Sequence, residues 1–483
     1  QKTIRLVPVS AAKKYKVIPL FKVGDVLTIA TVDPFDIMAL DEVRAKSNCD
    51  VEPMVATAKD IEQAITQYYG VAGSVEDLVR TIGPAVKTAG STIAAPLEEA
   101  PVTKLVNMLI LRAVENGASD VHIEPTDKNI RIRYRVDGIL HDISTAPLHL
   151  HSSIMTRIKV TAGMDIAESR LPQDGRFELK IEGKAVDVRA STYPTIYGES
   201  ISMRLLDKSS LFFSLTDLGF SKENLARFEE LIKRPYGIIL VTGPTGSGKT
   251  TTLYATLHHI VTPEENFVTI EDPIEYELPG VRQSQVNVKA GLTFANALPS
   301  ILRQDPDVIL VGEIRELETA KIAIQAALTG HLVFSTLHTN DAAGTLTRLT
   351  NMGIEPFLTS SAVAAAVAQR LLRTICPRCK APFSPSKDVL KKVNFDVNKE
   401  CTFYHGAGCK ACHNTGYKGR SGIFEILTVD DKIKDMVLNG ASAKEIRLAA
   451  IAAGMKTLHD DGLLKVMEGK TTIDEVIRVT QLD

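Results

Sequence analysis

The sequence feature that most constrains the fold is an eight-residue loop between an apolar run and a helical stretch. The apolar run is Ile238–Thr242, the helical stretch is Thr251–Ile260, and the loop reads Gly243-Pro244-Thr245-Gly246-Ser247-Gly248-Lys249-Thr250. Glycines at these positions let successive backbone N–H groups turn toward phosphate oxygens, and the helix N-terminus adds partial positive charge. A chance glycine-rich turn would not be expected to have all three parts in order. The pattern therefore predicts a phosphate-binding loop.

Individual residues of this loop have expected roles. Lys249 is expected to reach the β- and γ-phosphates of a nucleotide, and the Thr250 hydroxyl is expected to ligate Mg²⁺. Thr251, at the start of the predicted helix, is added to the nucleotide-contacting set. ATP and Mg²⁺ are thus the expected ligands.

Further apolar runs around the loop alternate with helical stretches. The predicted strands are Ile238–Thr242, Phe267–Ile270, Val308–Val311 and His331–Ser335. Strands that alternate with helices in this way are typical of a parallel sheet covered on both faces. The expected fold class is α/β.

A length of 483 residues suggests about three domains. The stretch 71–100 is rich in Gly, Ala, Ser, Thr and Pro, which favours a linker. The predicted modules are a small N-terminal α/β domain (1–70), the linker (71–100), a second N-terminal α+β domain (101–207), a connector (208–221), the nucleotide-binding core (222–373), a four-cysteine segment (374–422) and a helical C-terminal region (423–483).

Composition bears on the expected partners and compartment. The 56 basic and 58 acidic residues nearly cancel, so net charge does not favour nucleic acid or an anionic membrane as partner. No apolar run approaches the roughly 20 residues that span a bilayer, so membrane contact is expected only through partners. The N-terminus has no signal-peptide pattern and begins with Gln1 rather than Met, as a trimmed fragment would. The expected compartment is the cytoplasm.

Acidic residues follow two of the predicted strands. Glu271, Asp272 and Glu275 follow the strand Phe267–Ile270, and Glu313 follows Val308–Val311. Carboxylates at the carboxyl ends of parallel strands lie along the crevice where ligands bind, which favours a role in hydrolysis. The alternative is that they cap following helices.

Two further features concern the same strands. His331 and His338 bracket the next strand, and one of them is a candidate to sense the γ-phosphate. Gly312 stands where related ATPases usually have an Asp, so Mg²⁺ is expected to rely on Thr250, Glu313 and water.

Four of the six cysteines form two C-x-x-C pairs, Cys376/Cys379 and Cys409/Cys412. Two such pairs suit tetrahedral Zn²⁺ held by four thiolates, in a closed site that fastens a segment without its own core. A redox dithiol would not need the second pair, whereas spacing alone leaves an iron–sulfur cluster open. Cys49 and Cys401 are interpreted as ordinary residues.

Alternation in the stretch Asp120-Val-His122-Ile-Glu124 places three possible metal ligands on one face of a strand. We interpret the stretch as a structural or interface strand rather than a metal site.

Together these motifs resemble those of the secretion ATPase superfamily. The resemblance rests on Gly243–Thr250, the acidic box Glu271–Glu275, the run Asp307–Arg315 and the histidine box from Gly330 to Thr339. The stretches Gly117–Pro125 and Arg170–Arg176 are similar to those of the general secretion and type IV pilus assembly ATPases. The resemblance covers nearly all of the chain after about residue 100, and residues 1–70 resemble part of the group's N-terminal domain.

The resemblance implies a RecA-like core preceded by a PAS-like second domain, in a ring of six subunits. It also implies that arginines of the second domain reach the phosphates. By motif match these are Arg189 and Arg204, with Arg420 as a weaker third candidate. An arginine suits this role because its planar, always-charged fork binds phosphate bidentately. Without the resemblance, surface ion pairs would be the expected role.

The leading hypothesis is a hexameric cytoplasmic ATPase at the inner face of the inner membrane. The resemblance implies that it acts on an inner-membrane platform protein to assemble type IV pili, and the four cysteines favour this assembly and export branch over retraction ATPases. A type II secretion ATPase shares the same motifs and stays open. A nucleotide-gated scaffold without hydrolysis is disfavoured because the lysine, glutamates and arginines are all present. A nucleic-acid translocase would need a basic, aromatic-rich strip that this sequence lacks.

Overall fold

The computed structural model describes residues 3, 6–58, 60, 61, 64, 99–181, 184–207, 214–393, 395 and 401–480. The chain forms two compact units, Gln1–Leu206 and Asp207–Asp483, which are described separately below. The predicted linker up to residue 98 lies outside the described residues.

The first unit begins with a three-stranded sheet in the order β1-β2-β3. Strand β1 pairs antiparallel with β2, and β3 pairs parallel with β2. The elements of this part are α1 Val9–Tyr15, β1 Val17–Val23, β2 Val26–Thr31, α2 Ile37–Ser47 and β3 Asp50–Val55. The side chain of Asp36 accepts a hydrogen bond from the Ala39 N–H, which caps α2.

The rest of the first unit is a six-stranded sheet covered by two helices. The strand order is β6-β5-β4-β9-β8-β7. The elements are α3 Glu99–Glu115, β4 Ala118–Pro125, β5 Asn129–Val136, β6 Ile139–Pro147, α4 His151–Ala162, β7 Gln173–Ile181, β8 Lys184–Thr195 and β9 Gly198–Asp207. Leu109 of α3 and Ile154 of α4 share one buried cluster with Ile123 and Ile132 of the sheet. Alternate residues of β4 and β5 point away from this cluster, which leaves the opposite face of the sheet polar.

The second unit is built on a seven-stranded sheet in the order β12-β11-β13-β14-β10-β15-β18. Its first six strands in this order are parallel, and β18 is antiparallel to β15. The strands are β10 Gly237–Thr242, β11 Phe267–Glu271, β12 Val281–Gln285, β13 Val308–Val311, β14 Leu332–Leu337, β15 Val363–Ile375 and β18 Tyr417–Thr428, and a separate hairpin is formed by β16 Lys380–Phe383 and β17 Phe403–Gly406.

Helices cover both faces of this sheet. Ile238 and Leu240 pack into one buried cluster, whereas the intervening Ile239 and Val241 pack into another. The helices are α5 Lys222–Ile232, α6 Lys249–Ile260, α7 Phe294–Ile301, α8 Leu317–Leu328, α9 Ala343–Asn351, α10 Pro356–Ala362, α11 Lys387–Lys392, α12 Asp431–Leu438, α13 Ala443–Ala452, α14 Leu458–Met467 and α15 Ile473–Thr480. Every residue of β10, β11, β13 and β14 is buried, as expected for strands of a doubly covered parallel sheet. The predicted α/β class is confirmed.

Two predicted domain boundaries fall inside strands of this sheet. The boundary at 373/374 lies within β15 and that at 422/423 lies within β18. The two strands pair from Ala365↔Thr428 to Ile375↔Tyr417, so the cysteine segment is joined to the core through sheet hydrogen bonds. The helical C-terminal region also packs into the core, since Ile433, Val466 and Val476 belong to the same cluster as Ile238. None of the helices in the described ranges is long and apolar enough to cross a membrane.

A buried ion cluster ties the last helix to β15. The Glu475 side chain is fully buried and accepts hydrogen bonds from Arg373 and Arg478. Burial alone would raise the pKa of Glu475, but the hydrogen bonds from Arg478 and Arg373 outweigh it and lower the pKa to about 2. Since the usual value is 4.5, the carboxylate stabilises the folded state above that pH, and the stabilisation is lost as pH falls toward 2.

We expect Glu475→Gln to lower the free energy of unfolding at pH 7 by about 3–5 kcal/mol, because it leaves buried arginine charge uncompensated. The difference in the free energy of unfolding between Glu475→Gln and the unchanged chain should become smaller as the pH falls below 4.5. Denaturant unfolding at pH 7 and at pH 4 measures both effects. Asp474→Asn, at the exposed neighbouring position, is the matched control and should leave stability unchanged at both pH values. An equal loss for both variants would contradict the assigned role of Glu475.

Candidate nucleotide site

The predicted phosphate loop lies between β10 and α6, and α6 begins at Lys249, two residues before the predicted start. Gly248 has φ of 89°, and this left-handed conformation turns the loop into the helix. A Cβ at Gly243 would lie 2.6 Å from the Gln369 carbonyl oxygen and 2.6 Å from Ser247 Oγ. The glycines are therefore required by backbone conformation and by close approach to β15.

Two side chains of the loop, Lys249 and Ser247, lack a charged or complete set of partners within the described part of the chain. Lys249 Nζ donates to the carbonyl oxygens of Gly243 at 2.8 Å and Pro244 at 3.2 Å, neither of which is charged. Ser247 Oγ is buried without a hydrogen-bond partner among the described residues. Burial lowers the pKa of Lys249, and the nearby Glu313 carboxylate partly offsets this. An ammonium and a buried hydroxyl around a loop of backbone N–H groups fit a nucleotide phosphate.

Glu313 follows β13, and its carboxylate contacts two basic side chains. Arg315 Nε lies 2.8 Å and His338 Nε2 lies 3.5 Å from Glu313 Oε2. The strand β14, which ends before His338, lies between β13 and β10, so Glu313 and His338 emerge at the edge of the sheet that carries the phosphate loop. The Glu313 side chain is only 14% exposed, so its charge acts in a partly desolvated place.

The loop that carries His338 is fixed to the end of β10. Thr242 Oγ1 accepts a hydrogen bond from the Thr339 N–H at 2.8 Å and is 2.7 Å from Thr339 Oγ1. Thr242 Oγ1 is also 3.0 Å from the Leu337 carbonyl oxygen. The histidine is thereby held in fixed register with the first residue of the phosphate loop.

The acidic box is organised by Tyr254 of α6, a residue that sequence reasoning missed. The buried Tyr254 hydroxyl donates to Glu271 Oε2 and accepts from the Glu275 N–H at 3.2 Å. Thr269 Oγ1 also donates to the Glu271 carboxylate, at 2.6 Å. Glu271 is buried, and both its oxygens are already engaged by protein donors, whereas Glu275 is half-buried in the segment beyond the strand. The sequence signal that could have identified this residue was a tyrosine one turn beyond the loop in a predicted helix.

His331 is not brought to this edge. It precedes β14, and its Nδ1 lies 2.9 Å from the Ala326 carbonyl oxygen and 3.2 Å from Thr329 Oγ1. Six residues of strand at about 3.3 Å each separate it from His338, which is roughly 20 Å. His331 therefore supports the turn after α8, and direct contact with phosphates on the same unit's loop is excluded by distance.

The remaining predicted contacts of this unit are placed as follows. Thr250 is exposed in the first turn of α6, where a hydroxyl can reach a bound cation, and Thr251 is half-buried beside it. Arg420 is exposed on β18, opposite Arg373 of β15. A Cβ at Gly312 would lie 3.3 Å from Glu271 Cα and 3.4 Å from the Ile270 carbonyl oxygen. The neighbouring strand thus leaves little room for an Asp at position 312.

Arg189 and Arg204 belong to the first unit. Arg204 lies on β9, and its Nε is 3.2 Å from Asp120 Oδ1 on β4. Arg135 Nε lies 3.6 Å from the other oxygen of Asp120, so one buried carboxylate faces two arginines. Arg189 lies on β8, opposite Arg176 of β7.

The strand segment Asp120–Glu124, interpreted from the sequence as a structural or interface strand, carries several ion pairs. Besides the Asp120 contacts, Glu124 Oε1 forms an ion pair with Arg133 at 2.5 Å. His122 is half-buried, and burial lowers its pKa despite the nearby acids. Within the described part of the chain, the three residues are not among the groups placed to hold a metal.

Four cysteines form the one group with metal-ligand geometry among the described residues. Their sulfurs lie 3.9 Å apart for Cys376–Cys409, 3.8 Å for Cys379–Cys412 and 3.7 Å for Cys409–Cys412. A tetrahedron of sulfurs about 2.3 Å from a central metal has edges of about 3.8 Å. A disulfide would need about 2.05 Å. The geometry is compatible with a single metal ion such as Zn²⁺ and excludes disulfide bonds.

A further polar pair beside the loop was also missed from the sequence. Gln369 of β15 is buried and its Oε1 accepts from Thr252 Oγ1 of α6 at 2.8 Å. Arg370, the next residue, lies against Gly243. Two polar residues that end an Ala- and Val-rich run at 362–368 were the available signal.

The sheet order, with the phosphate-loop strand between β14 and β15 and a glutamate two residues beyond β13, defines a P-loop ATPase of the RecA-like class. The family model described as "Type II/IV secretion system protein" matches residues 96–478. A second model, the MshEN domain, matches residues 1–75. The chain belongs to the Type II/IV secretion system protein family, and it is an ATPase.

Relatives and a solved structure agree with this assignment. The type IV pilus assembly ATPase PilB of Myxococcus xanthus is 45% identical over 99% of this chain and 87% of the relative. The type II secretion system ATPase E of Vibrio cholerae is 50% identical over 80% of this chain and 76% of the relative. The crystal structure of the pilus retraction motor PilT with bound ADP is similar with a TM-score of 0.53 at 26% identity, over 78% of this chain and 96% of that one.

Proposed function

We propose that this chain is one subunit of a homo-hexameric motor that hydrolyses ATP to power type IV pilus assembly. The observation that carries the proposal is the similarity to a pilus assembly ATPase along 99% of the chain, including the N-terminal module. The work would be done on an inner-membrane platform protein, from the cytoplasmic face, with membrane contact made through that partner.

Two metal ions are part of the proposal. Mg²⁺ would be held by the Thr250 hydroxyl and Glu313, and it would neutralise charge on the transferred phosphoryl group. Zn²⁺ would be held by Cys376, Cys379, Cys409 and Cys412, where a closed four-thiolate site fastens the β16–β17 hairpin to the ends of β15 and β18. The observed sulfur–sulfur distances support the second assignment.

The hydrolysis mechanism follows from the positions at the edge of the sheet. Lys249 would exchange its two carbonyl contacts for the β- and γ-phosphates. Glu275 and Glu313 would polarise the attacking water. For this, the Glu313 carboxylate would leave its contact with Arg315 and turn toward the water. His338, which contacts the same carboxylate oxygen as Arg315, would register the loss of the γ-phosphate. Glu271, whose oxygens are engaged by Tyr254 and Thr269, would act by positioning Glu275.

Arginines complete the proposal. Arg189 and Arg204 would supply positive charge to the γ-phosphate in the assembled ring, with Asp120 holding Arg204 until then. Arg420 would be a third such contact. Guanidinium groups stabilise the charge that builds on the phosphoryl oxygens in the transition state.

The second candidate is a type II secretion ATPase that builds a pseudopilus for protein export. It is favoured by the 50% identity to the Vibrio cholerae protein, although that similarity extends over only 80% of this chain. Deletion of the gene in its host, scored for surface pili and for secreted enzymes, separates the two functions. Lost pili with normal secretion would support pilus assembly, and the reverse result would refute it.

We expect Glu313→Gln to bind ATP with nearly unchanged affinity but to lower phosphate release at least about 100-fold, since positioning and charge at the attacking water are lost. Binding of a fluorescent ATP analogue and a phosphate-release assay measure the two effects. Glu318→Gln, at an exposed site in α8, is the matched control and should release phosphate at the unchanged rate. Normal turnover in Glu313→Gln would remove Glu313 from the mechanism.

We expect one zinc ion per chain by elemental analysis, and its loss in Cys409→Ser with a lower unfolding temperature, because metal binding and local folding are coupled. Cys401→Ser, outside the cluster, should keep both zinc and stability. Iron or no metal in the unchanged chain would contradict the zinc assignment.

A further inference from the structure

Arg370 places a second positive side chain against the phosphate loop. Thr242, the last residue of β10, pairs with Ala368 of β15, so the next residues of β15 run beside the loop. A Cβ at Gly243 would lie 3.0 Å from Arg370 Nη1. The guanidinium therefore lies against the first residue of the loop, on the β15 side.

Among the described residues, the acceptors within hydrogen-bonding distance of the guanidinium are all uncharged. Its Nη1 donates to the Gln369 carbonyl oxygen at 3.0 Å, and its Nη2 donates to the Asn340 carbonyl oxygen at 3.0 Å and to Asn340 Oδ1 at 3.4 Å. Burial lowers the pKa of Arg370, and the more distant acids Glu425 and Asp341 offset this only in part. A half-buried cation without a carboxylate in contact is costly unless an anion is bound beside it.

The two cations of the loop also repel each other. Lys249 Nζ donates to the Gly243 carbonyl oxygen at 2.8 Å, and Arg370 Nη1 lies against the same glycine, so the two positive charges are close together. An anion near both groups would relieve this repulsion and offset the desolvation of each. Phosphate groups of the nucleotide are the anion that the loop is built to receive.

We propose that Arg370 is a phosphate-binding residue of the nucleotide site, contributed by the same subunit as the phosphate loop. Its planar fork can hold a phosphate oxygen while it keeps one carbonyl acceptor. Because Nη2 also donates to Asn340, two residues after His338, a phosphate that draws Arg370 inward competes with this contact. Nucleotide binding would thus affect the loop that carries His338 through Arg370 as well as through Glu313.

The inference rests on nucleotide binding by the loop and is independent of pilus assembly. The test measures Mg-ADP affinity of the full chain with a fluorescent ADP analogue, since the sequence has no tryptophan to report binding. Arg370→Gln should raise Kd about 10- to 100-fold, as expected for loss of a charged hydrogen bond. The dependence of log Kd on log salt should also become flatter, which loss of a purely structural tie would not cause.

Lys321→Gln, which removes an exposed charge from α8, is the matched control and should leave Kd and salt dependence unchanged. An unchanged Kd in Arg370→Gln, or a raised Kd with an unchanged salt slope, would overturn the proposal. If the unchanged chain bound no ADP, the error would lie in the underlying proposal that the loop binds nucleotide, and not in the role given to Arg370.

A second measurement uses the unchanged chain and does not depend on the variant's folding. ADP should slow phenylglyoxal labelling of Arg370, read by peptide mass spectrometry, and equal labelling with and without ADP would also overturn the proposal.

Discussion

Strand β10 is hydrogen-bonded along both edges and buried on both faces, and the geometry of the candidate site depends on this confinement. Its neighbours β14 and β15 fix its register, while side chains alternate into two separate buried clusters. The carboxyl end of the strand therefore cannot shift relative to the ends of its neighbours without breaking packing on both faces. Gly243 directly follows β10, His338 directly follows β14, and Arg370 lies in β15 two residues beyond the position that pairs with the end of β10. The hydrogen-bonded sheet therefore sets the spacing of these three residues.

The charged groups of the site differ in whether the protein itself compensates them. The Glu313 carboxylate contacts Arg315 and His338, and the Glu271 carboxylate accepts hydrogen bonds from hydroxyl donors. Lys249 and Arg370 donate instead to carbonyl oxygens, whose partial charge is too small to compensate a half-buried cation. The excess positive charge lies at the loop, whereas the carboxylates lie along its β13 and β11 side. This separation favours a bound polyphosphate with water and a metal ion on one side of it.

Much of this arrangement was accessible from the sequence, because wholly apolar strands of a parallel sheet are recognisable and the phosphate loop marks which one is central. Other parts were not. The Ala- and Val-rich stretch before Gln369 has no alternation, since β15 is buried on both faces over that length, and β15 was therefore not among the predicted strands. The position of Arg370 beside the loop depended on that strand. The placement of His331 was open to better reasoning, because a residue that precedes a parallel strand must lie at the edge opposite the phosphate loop.

The hairpin β16–β17 separates the two cysteine pairs along the chain but lies beside them in space. Cys379 immediately precedes β16, and its carbonyl oxygen accepts from the Ala407 N–H just after β17, at 2.9 Å. The sulfurs are thus positioned by the base of the hairpin, whatever lies between Phe383 and Phe403. Closing a loop of twice the length costs only about 0.6 kcal/mol more. The number of residues between the two C-x-x-C pairs can therefore change at little cost in stability. Sequence searches that demand a fixed interval between the pairs will overlook proteins with the same four-cysteine site.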